Sequence, residues 1–201
     1  MTNDGATSAV GEMSCVSPHT TPWARHVRWA EELGTVFILD LREDAYLALP
    51  LEGWAQRQDV LASRRLLERG DTAGPAPRIR VGRKVGAWTM LASLLWARDV
   101  LRRGRLEAAA LLRDAPGALD AETDVVIERF QNLRPLYPRE ASCLFDSLAL
   151  GRFLAHAGIR AELVFAVRGA PFAAHAWLEK EGRILNDDAE YCAGFVRMAG
   201  P

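Results

Sequence analysis

Strand-length alternation of apolar and polar positions opens the chain. "HVRWAEE", "GTVFILDL" and "AYLALP" are β-rich apolar runs, and the short "RED" between the last two predicts a hairpin turn. The pattern then changes. In "LEGWAQRQDVLASRRLLERG" the positions Val60, Leu61, Leu66 and Leu67 fit a helix over 58–69, with Gly70 as its stop. "DTAGPAP" at 71–77 reads as linker. Residues 83–133 carry leucines at mixed three- and four-residue spacing and predict almost continuous helix. "APGALDAETD" divides that stretch, and Asp120 or Thr123 is placed to cap "DVVIERFQNL".

A last change of period begins at "ASCLFDSLALGRFLAHAG", residues 141–158. Ser142 stands where an N-cap belongs and Gly158 where a C′ glycine belongs, so a helix from Cys143 is expected. After it come "AELVFAV", a loop "RGAPFAA", "HAWLEK", a turn "EG" and "RILND", which predict three short strands. The fold class is α+β. A disordered lead-in over 1–22 precedes a small winged-helix-like unit of three strands plus helices at 23–72. A linker at 73–82 leads to a helical segment and a C-terminal α+β unit over 83–201.

Composition narrows the function class. With 201 residues, 49% apolar and 25% charged, the chain can bury a proper core. A net charge of -1 gives no support for a nucleic-acid or membrane-surface partner. The longest apolar stretch is broken by Arg98 and Asp99, too early to span a bilayer, and the N-terminus lacks the pattern of a signal peptide. Cys15, Cys143 and Cys192 form neither a C-x-x-C nor a Cys/His cluster, so no metal site, cofactor or disulfide framework is expected. A reducing cytoplasm is the expected location. No G-x-x-x-x-G-K-[ST] appears, so no nucleotide site is assigned.

Three residues carry chemistry. Cys143 heads a helix, where the dipole favours thiolate over thiol. His175 opens a strand and shares a face with Trp177 and Glu179. Twelve residues on, "NDD" offers a carboxylate across the hairpin that would fix the imidazole tautomer. Thiolate, imidazole and carboxylate are the parts of a nucleophilic cysteine site. The bland alternatives are an inert core cysteine, a satisfied strand histidine and an Asx-rich turn. His19 lies in the lead-in, and His156 in the last turn of the Cys143 helix, where it complements the dipole.

"C-L-F-D-S-L-A-L…F-L…H-A-W-L-E…G-R-I-L-N-D-D" resembles the transglutaminase-like, papain-like cysteine protease domain of lasso-peptide biosynthesis B proteins, over residues 135–198. The resemblance implies Cys143 as nucleophile, His175 as general base and acid, and Asp187, chosen over Asp188 by family spacing, as its orienter. "GTVFILDLREDAYLALP" is similar to the leader-recognition domain that such proteins carry, in which an extended leader adds a strand to a sheet edge. Applied here, the contacts would be Tyr46 on the edge and Leu61, Arg65 and Leu66 on the helix. The partners implied are a precursor peptide and an ATP-dependent, asparagine-synthetase-like macrolactam cyclase. The implied activity is leader removal, with an acyltransferase using the same triad or an inactive leader-binding adaptor as alternatives. No glutamine ahead of Cys143 serves the oxyanion, and Arg139 is a weak candidate for that duty.

Overall fold

A computed structural model of the chain describes residues 17–68, 85–106, 123–138 and 142–200. The three N-terminal runs form β1 (Val27–Glu32), β2 (Thr35–Asp40) and β3 (Ala45–Pro50), an antiparallel meander in that order. Leu33 and Gly34, at φ 50 and 71, supply the left-handed pair that a tight twisted hairpin requires. The "RED" turn joins β2 to β3. Alternation gives the sheet two apolar faces. Val36, Ile38 and Leu49 pack with Trp23, Trp54 and Leu61 on one side, while Phe37 and Leu39 enter the main core on the other.

The helix expected over 58–69 is shorter. Trp54–Arg57 form a 3-10 turn, α1 spans Gln58–Ser63, and the chain breaks at Arg65, whose φ is 58. Leu67 then bridges Trp23, and the Leu66 carbonyl accepts the Ala24 N–H at 2.9 Å. Extended pairing with residues 22–24 therefore overrides the helical spacing beyond Ser63. The lead-in is also shorter than expected, because residues 17–22 are packed. Thr21 is buried and its hydroxyl accepts the Trp54 indole N–H at 3.1 Å, and His19 meets the Trp29 ring edge-on at 4.8 Å. Residues 1–16 with Cys15, Gly70 and the linker, Asp120 and Arg139 lie outside the described residues.

The middle of the chain supplies α2 (Ala87–Arg102) and α3 (Thr123–Leu133). Next comes α4 (Cys143–His156), which ends in a Schellman motif. Ile159 N–H reaches the Leu154 carbonyl at 2.9 Å and Gly158 N–H the Ala155 carbonyl at 3.0 Å, with Gly158 at φ 78. The C-terminal sheet contains β4 (Glu162–Arg168), β5 (Ala173–Lys180), β6 (Arg183–Ile184) and β7 (Val196–Arg197), ordered β6-β5-β4-β7 and antiparallel throughout. The "EG" turn is found as expected, with Glu181 and Gly182 at φ 52 and 80. The third strand keeps only two residues of "RILND", and neither β7 nor the single-turn α5 (Ala189–Cys192) was expected, since elements this short show no period.

One apolar core links the parts. Phe37, Leu39 and Leu41 of the meander region meet Leu94 and Ala97 of α2, Phe145 and Leu148 of α4, and Phe165 and Leu178 of the C-terminal sheet. Trp29 and Ala199 exchange hydrogen bonds in both directions, at 2.9 and 2.7 Å. The fold is α+β, and among the described residues no helix is long and apolar enough to cross a membrane.

Candidate active site

The first turn of α4 is fixed by charge and aromatic stacking. Ser142 has the extended backbone of an N-cap, but its side chain makes no capping bond. Asp146 serves instead: one carboxylate oxygen accepts the Ser142 N–H at 3.2 Å and the other accepts Arg134 Nε at 2.6 Å. An anion in the first turn also complements the helix dipole. Tyr137 stacks on Phe145 at 6.1 Å. Cys143 is thus the first residue of α4, as expected, and is half-buried.

One turn further along the same face, Ser147 is fully buried and donates to the Ala176 carbonyl of β5 at 3.2 Å. Asn186 completes the link. Its Nδ2 donates to Ser147 Oγ at 2.9 Å and its Oδ1 accepts the Leu178 N–H at 2.8 Å. The three elements that carry Cys143, His175 and Asp187 are therefore tied by one satisfied polar network. The sequence shows a trace of it, because Ser147 is polar at a position the α4 pattern assigns to the core.

His175 and Asp187 meet at 2.7 Å, Nε2 to Oδ2, with the imidazole side chain 11% exposed. A neutral imidazole that gives its Nε2 proton to this carboxylate keeps Nδ1 as the basic nitrogen. The neighbouring aspartate has other work: Asp188 accepts the Tyr191 N–H at 2.8 Å and caps α5. Asp187 Oδ1 takes the Asp188 N–H at 2.8 Å, which turns Oδ2 toward the ring. Tyr191 and Phe195, each 5.2 Å from the imidazole centroid, and Trp177 at 5.7 Å wall the ring in.

The faces of β5 divide the site. Ala176 and Leu178 enter the core beneath α4, whereas Trp177 packs with Cys192 and Phe195 on the other side. By alternation His175 belongs to the Trp177 face, at the strand end against which the first turns of α4 dock. Glu179 is spent structurally. It is buried, accepts the Trp177 indole at 2.7 Å, and takes Arg197 Nη1 on both oxygens at 3.0 and 2.8 Å.

The thiol that lies with the His175–Asp187 pair is that of Cys192, a residue to which sequence reasoning gave no role. Donor atoms of His175, Asp187 and Cys192 lie within 4.8 Å of one another. Burial, with the carboxylates of Asp187, Asp188 and Glu179, pushes the Cys192 thiol up to about 11. At neutral pH it is an unreactive thiol. A soft cation could use these donors only by deprotonating that thiol and displacing the His–Asp hydrogen bond, so the cluster does not fit a resident metal.

The expected peptide contacts fall in different settings. Tyr46 lies on β3 and is 38% exposed, whereas Leu61 is fully buried in the core beneath the meander. Leu66 is buried but lines a cleft of about 250 Å³ together with Tyr46, Leu47 and Arg64. Arg65 is exposed in the left-handed turn after α1 rather than on the helix. Tyr46 also meets the Phe172 ring edge-on at 5.7 Å, and Phe172 stacks on Phe37 at 5.7 Å.

Residues 86–200, more than half of the chain, match the family model of the transglutaminase-like superfamily, and the chain belongs to that superfamily. A stretch of 48 residues is 44% identical to the microcin J25-processing protein McjB of Escherichia coli. It covers 24% of this chain and 23% of that relative, so the likeness spans about a quarter of each. No solved structure matches the chain.

Proposed function

We propose that this protein is a cysteine peptidase that removes the leader from a ribosomally synthesised precursor peptide during lasso-peptide maturation. The observation that carries this reading is the His175–Asp187 pair at 2.7 Å, with the strand of His175 locked through Ser147 and Asn186 to the helix that begins at Cys143. The partial likeness to a microcin-processing protein supports the substrate class.

In this reading the Cys143 thiolate attacks the carbonyl of the last leader residue. His175 Nδ1 takes the thiol proton and returns it to the departing amine, while Asp187 holds the ring and supports the imidazolium. Water, deprotonated by the same imidazole, then hydrolyses the thioester. The freed N-terminal amine of the core peptide passes to a macrolactam cyclase of the asparagine-synthetase-like class in the cytoplasm.

Residues 23–72 act as a winged-helix-like leader-recognition domain, and 83–201 as the catalytic unit. The leader extends the meander along β3, the edge opposite the one that Trp29 of β1 bridges to Ala199, with side chains entering the cleft between Leu47 and Arg64. Holding remote leader residues raises the effective concentration of the scissile bond, so the catalytic pocket can be shallow.

Mass spectrometry of a cognate precursor incubated with the wild type and with Cys143→Ala tests the reading. A leader fragment released by the wild type alone supports it. Transfer of the leader acyl group to an added amine without hydrolysis would replace peptidase with acyltransferase, and binding without cleavage would leave an adaptor.

A further inference from the structure

The mechanism above lacks one part. The carbonyl oxygen becomes an anion when the thiolate adds, and beyond the backbone N–H of Cys143 at the head of α4 it needs a second donor, for which Arg139 lies outside the described residues. We propose that the Tyr46 hydroxyl, on the edge strand of the N-terminal sheet, is the second oxyanion donor, so that the recognition sheet completes the active site of the catalytic half.

Three observations carry this assignment. The loop between β4 and β5 is fastened to the meander: Gly169 N–H donates to Glu32 Oε2, and Phe172 lies between the rings of Phe37 and Tyr46. A Cβ at Gly169 would meet Glu32 Oε2 at 3.0 Å and Phe37 at 3.3 Å, so the loop and the meander approach each other closely there. Because Phe172 stands three residues before His175, this fastening holds Tyr46 near the His175 end of β5, the end at which Ser147, one turn after Cys143, bonds the Ala176 carbonyl. Secondly, Tyr46 shares the face of Phe37 and Leu39, the side of the meander that enters the common core. Thirdly, its hydroxyl has no hydrogen-bond partner among the described residues, although the ring is packed, which leaves a donor to be used by a ligand.

The phenol also has the right protonation state. Burial, with the charges of Asp44 and Cys143, pushes Tyr46 up to about 12, so it keeps its proton throughout the working range. The proximity of the Cys143 charge agrees with the placement argued from the loop. In the step itself the sulfur–carbon bond forms and the carbonyl π pair moves to oxygen, which accepts the Tyr46 O–H hydrogen bond. Collapse expels the amine with the proton from His175, and Tyr46 neither gains nor loses a proton.

This rests on the peptidase reading, and Tyr46→Phe separates the two. The substitution keeps the ring on Phe172 and removes only the hydroxyl. The full-length chain and its precursor are compared under saturating peptide, with leader affinity measured by fluorescence anisotropy. Expected is a fall in kcat of about 100-fold with leader Kd and thermal midpoint unchanged. A wild-type kcat in Tyr46→Phe overturns the assignment while leaving the peptidase intact. A loss confined to Kd also overturns it, making Tyr46 a leader contact alone. Absence of cleavage by the wild type itself overturns the peptidase reading and this assignment together.

Discussion

The N-terminal meander and the C-terminal sheet are both antiparallel, both use a left-handed two-residue hairpin, and both bury apolar side chains on two faces. They differ in where their polar groups go. In the C-terminal half, buried Ser147 and Glu179 and half-buried Asn186 each meet named partners, and Asp187 and Asp188 split two duties between them. Along β1, β2 and β3 every buried side chain is apolar, and β3 presents a mostly exposed edge beside a cleft. A proton-transfer pair works only if its geometry is over-determined, so its elements are cross-linked by satisfied hydrogen bonds. A strand that must accept another chain works only if its edge is left unpaired.

Breaking the over-determined half should have the largest effect. Cys143→Ala and His175→Ala should each lower leader release by more than about 10⁴-fold, with leader affinity unchanged. Asp187→Asn should cost about 10³- to 10⁴-fold in kcat, because the imidazole loses the anion that fixes its tautomer. Asp188→Ala loses the cap of a four-residue helix, about 1 kcal/mol of stability, and should leave the rate within a few-fold. Single-turnover kinetics of the pair decides the matter. If Asp188→Ala proved the more damaging, the carboxylate assignment would have to be reversed.

A smaller effect sharpens the meander side of the comparison. Leu61→Ala should destabilise the protein by about 2–5 kcal/mol, the cost of a cavity in a closed core, while leader affinity per folded molecule stays constant. Urea unfolding together with anisotropy reads both quantities. A stable variant that binds leader weakly would instead make Leu61 a contact residue.

The two halves were also legible to different degrees. The strands of the meander, the helix from Cys143 with its Gly158 stop, and the "EG" hairpin are local events, written in alternation and in turn chemistry. The end of α1 was not, because pairing of Leu66 and Leu67 with residues 22–24 is a long-range choice between two local structures of similar cost. The order Cys143, His175, Asp187 and the neighbours of "HAWLE" are the local words on which the proposed chemistry rests, and of these residues His175 and Asp187 are seen to pair. The sharing of tasks between Asp187 and Asp188, and the Ser147–Asn186 link, depend on backbone directions that no spacing encodes. Cys192 went unassigned for the same reason: a helix of four residues brings it beneath the His175–Asp187 pair.

Cys192 gives the smallest effect. Its folded pKa, about 11, stands above the ordinary thiol value of 9.0, so the folded state holds the proton more tightly than the unfolded chain does. That contribution to stability is complete below about pH 9 and is lost as pH rises toward 11. Cys192→Ala should lower stability at neutral pH through lost packing, and should also flatten the decline between pH 9 and 11 seen in urea unfolding of the wild type. The difference in slope, not the offset, is the readout. Equal slopes would mean that Cys192 ionises as freely in the folded protein as in the unfolded chain. A thiol of that kind within 4.8 Å of His175 and Asp187 would compete with Cys143 for the role of nucleophile. The contrast between a cross-linked C-terminal half and an open β3 edge would then have to be redrawn around α5.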